Sequence, residues 1–135
     1  MRLVWVIIGG ISALVSSFFV TLYILDNFRS PSGDLLRAAH VRSIKAALES
    51  YRGARGKYPL AGDKVITELK AELSSYLPVI PQDPTQPGTA YDYRYVSDTG
   101  DRYGLFVHLQ NGDPCITGVS YSNTGWWLNP PSCPF

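Results

Sequence analysis

The chain has 135 residues, 45% of them hydrophobic, with a formal net charge of +1 at neutral pH. That length holds one modest domain, and the near balance of charge gives no global pull toward nucleic acid.

The first element is apolar. Leu3 to Leu25, LVWVIIGGISALVSSFFVTLYIL, carries no charge, and a helix of this length rises far enough to cross a hydrocarbon core of about 30 Å. A transmembrane anchor over residues 1–29 is expected. A cleaved secretory signal is the competing reading, although its apolar region would usually be shorter. Arg2 and the terminal amine precede the span, which favours a cytoplasmic amino terminus with the remainder outside the cytoplasm. In that compartment Cys115 and Cys133 form an even pair able to close a disulfide, with free buried thiols as the alternative.

Residues 30–34, SPSGD, read as a kink or linker, with Ser30 and Asp34 both candidate helix caps. The exported domain is expected over residues 35–135. Its first element, DLLRAAHVRSIKAALESYRGARG, puts Leu36, His40, Ile44, Leu48 and Tyr51 on one stripe, the spacing of an amphipathic helix. Six basic residues between Arg37 and Lys57 face one acid, Glu49, so a basic helix face including Arg37, Arg42, Lys45, Arg52 and Arg55 is expected. Gly53 and Gly56 stop this helix. A second helix is expected from a cap at Asp63 to Leu77, where Pro78 disfavours helical geometry.

Prolines at 78, 81, 84 and 87 then carry an extended segment toward Tyr91-Asp92-Tyr93-Arg94-Tyr95, whose alternation predicts a strand with rings on one face and charges on the wet one. Ser97 to Asp101 is a hairpin loop, and Tyr103 to Leu109 the second strand. Asp98 and Asp101 read as solvated turn residues. Ile116 to Tyr121 and Gly125 to Leu128 are further short strand candidates. The expected architecture is α+β, a long amphipathic helix covering a three- to four-stranded antiparallel sheet.

No HExxH, CxxC, GxSxG or phosphate loop occurs, and His40 and His108 are isolated, so no catalytic residues are expected. From Pro114 to Phe135 no residue is charged. Tyr121, Trp126, Trp127 and Phe135 in this tail are the candidate partner-binding residues, because exposed aromatic groups favour protein contacts.

Several of these stretches resemble the globular half of the type IV pilin superfamily, closest to the major pseudopilins of type II secretion. The residues are Tyr51, Gly56, Tyr58 and Pro59 in YRGARGKYP, then Leu77-Pro78, and Pro81, Asp83, Pro84, Tyr91 and Tyr93 in PQDPTQPGTAYDY. The resemblance covers roughly residues 37–109. It implies a pilin-like fold, an inner-membrane anchor with a periplasmic domain, and a structural role among other pilin or secretion-system proteins, copies of itself included. It also implies a carboxy-terminal disulfide that pins the tail, as in many type IV pilins. The chain departs from the family after Gly9-Gly10, where neither the phenylalanine nor the membrane glutamate of pilin precursors follows. The calcium ligands of the major pseudopilins are absent too, since Asp113 is the last carboxylate side chain, and neither metal nor cofactor is expected.

Overall fold

The computed structural model describes residues 33–85, 87–88 and 91–135. The expected anchor and residues 30–32 of the expected linker lie outside these. No helix among the described residues is long and apolar enough to cross a membrane.

Helix α1 spans Gly33–Arg55. Asp34 in its first turn and Arg52 and Arg55 in its last complement the helix dipole. It runs through Gly53 and ends at Gly56, whose φ of 77° suits a left-handed cap and whose N–H donates to the Arg52 carbonyl at 2.7 Å. The buried stripe is Arg37, Ala38, Val41, Ile44, Ala47 and Leu48. It therefore runs one residue off the expected line at its start: Leu36 is 43% exposed while Arg37 is 2% exposed.

The sheet has four antiparallel strands in the order β1-β2-β3-β4: Ala61–Val65, Arg94–Ser97, Tyr103–His108 and Pro114–Val119. The α+β expectation holds at this level, but two elements differ from it. Asp63 does not cap a helix. It lies in edge strand β1, bonded across the sheet to Arg94 at 2.8 Å, and only then do a 3-10 turn, Ile66–Leu69, and a single helical turn α2, Lys70–Leu73, follow. Ile66, Leu69 and Leu73 are buried as their spacing requires. The second difference is Gly125 to Leu128, which forms no strand. Gly125, Trp127, Leu128 and Asn129 all have positive φ, which excludes extended geometry, and Trp126–Leu128 is a 3-10 turn instead.

One core lies between α1 and the sheet. Val41, Ile44 and Leu48 from the helix meet Tyr58, Tyr93, Tyr95, Tyr103, Leu105 and Val107. The register pairs Tyr95 with Leu105 and Leu105 with Thr117, so alternation aims these side chains at the helix. Gly104, Phe106 and His108 point to the opposite face. Gly118 opposes Gly104 at a φ of 147°, and a Cβ there would collide with the Tyr103 carbonyl oxygen, far inside van der Waals contact.

The tail closes the sheet's far edge. Ile116 and Ser132 form a parallel bridge, with the Ile116 N–H donating to Pro131 and the Cys133 N–H donating to Ile116. Cys115 and Cys133 are joined in a disulfide across 18 positions. In the chain-entropy model a loop of this size stabilises by about 3 kcal/mol.

Candidate functional site

Two constellations stand out: a polar clip at the start of α1 and an aromatic layer on the outer face of the sheet.

The clip begins with Arg37. Its Nε donates to Asp83 Oδ2 at 2.7 Å, Nη2 to Asp83 Oδ1 at 3.1 Å and to Thr85 Oγ1 at 2.8 Å, and Nη1 to Asp34 Oδ1 at 3.0 Å. Arg37 is thus not part of a solvated basic face, because its guanidinium is sealed beneath the 81–88 segment. Burial works against the charged guanidinium, but its bonds to Asp83 and Asp34 outweigh that and its pKa is raised.

Asp92 secures the other side of the same segment. Its carboxylate accepts from the N–H groups of Asp83 at 2.7 Å and Gly88 at 2.6 Å. The alternation of residues 91–95 placed Asp92 on a wet face, whereas it is 1% exposed. Backbone donors in a turn replace its water. One turn along α1 from Arg37, His40 Nδ1 lies 2.9 Å from the Tyr93 hydroxyl. Burial depresses the His40 pKa.

The positions that carried the family resemblance are spread along the helix–sheet interface, with Asp83 near the start of α1 and Tyr58 near its end. Tyr58 is buried, donates to Glu49 at 2.7 Å and meets Tyr103 edge-on at 4.6 Å. Pro59 accepts from the Tyr95 hydroxyl at 2.7 Å. Pro81 and Pro84 are half-buried on either side of the clip. Tyr91 is exposed on one flank and lies 4.7 Å from the His108 ring.

The tail candidates separate. Trp126 lies against Gly104, where a Cβ would meet its ring at 2.9 Å, and the Arg102 guanidinium lies over the ring, 5.5 Å from its centroid. Trp127 packs on Phe106 at 5.2 Å. The layer continues through Phe106 to His108 at 4.9 Å. Phe135 packs against the main core, and Tyr121 stands apart with its hydroxyl 2.9 Å from Ser132 Oγ. Leu128, at the tip of the left-handed turn, is 95% exposed.

Sequence reading missed Arg37, Asp92 and the Gly104/Gly118 pair as determinants. A signal existed for each: an arginine in phase with Val41, Ile44 and Leu48, and glycines inside two strands, which mark close approach. Among the described residues no cluster of histidine, cysteine, aspartate or glutamate is arranged to hold a metal ion. Comparison with protein-family models, with curated proteins and with solved structures finds no match for this chain.

Proposed function

We propose that the protein is a membrane-anchored structural or interaction component of a type II secretion or type IV pilus-like system. The amino terminus is cytoplasmic, the apolar span lies in the inner membrane, and the described domain is a periplasmic, pseudopilin-like scaffold. The observation that carries this reading is that the resembling stretches fasten the long helix to the sheet side of the domain near both of its ends: Asp83 is locked to Arg37 near the start, and Tyr58 donates to Glu49 near the end with Pro59 beneath Tyr95. The Cys115–Cys133 disulfide accords with an oxidising compartment. Its partners are other pilin or secretion-system subunits, copies of itself included.

The reading is tested in bacterial spheroplasts expressing the full chain. The described domain is expected to be degraded by added protease, and trapping of thiols before lysis is expected to find both cysteines oxidised. A protease-protected domain with reduced cysteines sinks the proposal. Mass spectrometry of the purified amino terminus separates a filament subunit, processed and N-methylated near Ile11, from a permanently anchored one.

A second reading, a stand-alone periplasmic binding module that uses the disulfide-closed tail, draws on the full exposure of Leu128 beside Trp126 and Trp127. It requires that Leu128→Ser weaken partner capture without moving the melting temperature.

A further inference from the structure

The tail folds back on β4 and leaves a shallow cleft of about 250 Å³, walled by Tyr121, Asn123, Asn129, Pro130, Pro131 and Ser132. Drug-sized sites occupy about 300–1,000 Å³, so this cleft has room for one small ring and not for a nucleotide or an extended cofactor.

Its lining excludes ions. No side chain around it is charged, and the tail from Pro114 onward contains neither a cation for a phosphate or carboxylate nor an acid for an amine or metal. What it offers is neutral hydrogen bonding beside flat apolar surfaces. Asn129 Oδ1 is engaged by the Gly125 N–H at 3.1 Å, which leaves its amide N–H groups for a ligand. The Asn123 carboxamide makes no hydrogen bond among the described residues. Tyr121 and Ser132 contribute a hydroxyl pair with spare donor and acceptor capacity. The Tyr121 ring and the two prolines supply the apolar walls.

The backbone holds this arrangement in place. Asn123 and Asn129 have φ of 62° and 54°, left-handed geometry that asparagine tolerates better than most residues, and the disulfide with the Ile116–Ser132 bridge anchors the far end. Such geometry is found where surrounding contacts over-determine it, and ligand clamps are one such setting.

We infer that this cleft binds a neutral pyranose unit of a glycan chain. The hydroxyls of the sugar ring match the amide and hydroxyl groups, and its C–H face lies against Tyr121 and the prolines. Nothing in the inference depends on the secretion-system reading.

The test uses the full-length, isotope-labelled protein in a zwitterionic detergent, because sugar-headed detergents would compete. Chitotetraose and cellotetraose are titrated separately while backbone amide resonances are followed. Saturable shifts are expected at Ile116, Tyr121, Asn123, Asn129 and Ser132, with a Kd on the order of 1 mM for so open a site. Tyr121→Ala should weaken binding about ten-fold. Asn123→Gly, which keeps the left-handed backbone and removes only the carboxamide, should weaken it about three-fold with the remaining spectrum unchanged. A response to chitotetraose alone assigns an N-acetylated glycan, to cellotetraose alone an unacetylated one, and to both the pyranose ring itself. Absence of shifts with either sugar at about 20 mM, or shifts outside the cleft, overturns the inference. Should Tyr121→Ala lose its folded spectrum, Asn123→Gly decides: unchanged affinity in that variant overturns the inference too.

Discussion

Arg37 and Asp83 are 46 positions apart and both lie out of water, so each is tolerable only because of the other. Breaking a buried pair by removing one partner typically costs about 3–5 kcal/mol, whereas an apolar replacement of the whole pair can be neutral. Arg37→Ala and Asp83→Asn are therefore each expected to lower unfolding free energy by about 3 kcal/mol in urea titrations, and the double variant by much less than the sum. Tyr103 makes the opposite prediction. Its hydroxyl is buried and finds no partner among the described residues, so Tyr103→Phe should leave stability unchanged or raise it by up to about 1 kcal/mol in the same titration. Burial also raises the Tyr103, Tyr93 and Tyr95 pKa values above the ordinary phenol range. Much of this scale was readable beforehand. Tyr93, Ile44 and Leu48 announced themselves as core by spacing, but the fate of a single charge depends on a partner far along the chain, and periodicity carries no information about that.

Among the elements, α1 and strands β2, β3 and β4 follow from patterns of 3.6 and 2, within a few residues at each end. The two misread segments share a cause. Ala61–Val65 is only half apolar and sits at an edge, so it shows no alternation, and Asp63 looks like a cap until Arg94 is placed across from it. Gly125 to Leu128 looks like an apolar run, but its backbone is left-handed and its rings lie on Gly104 and Phe106. The disulfide and the Ile116 bridge hold that turn down. Cys133→Ser should lower stability by about 3 kcal/mol and shift the tryptophan fluorescence maximum to the red, reporting Trp126 and Trp127 leaving the sheet. An unchanged spectrum would show that the ring contacts alone fix the tail.

For the domain as a whole, acid is the informative perturbation. His40 and His108 both have depressed pKa values, in each case chiefly through burial, with Asp83 pulling the other way; Arg37 and Arg94 further lower that of His108. The unfolded chain therefore binds more protons than the folded one just below the ordinary histidine value of about 6.5. Stability is full above that value and declines as pH falls through the window beneath it. Between pH 7.5 and 5 the melting temperature should fall, and His108→Gln should flatten the slope. A flat profile in the parent protein would mean that these rings are solvated.

The two ends of the sheet face different fates in a crowded compartment. The outer edge of β4 is interrupted at Ile116, where the returning tail bonds to it. The outer strand β1 is short, slips register between Ala61 and Lys64, and exposes Asp63 and Lys64, one charge of each sign. Neither margin is a template on which a foreign strand can grow, so runaway cross-β stacking is disfavoured. Copies of this domain that associate must do so side chain to side chain, and the exposed Leu35 and Leu36 at the start of α1 are placed for that kind of contact.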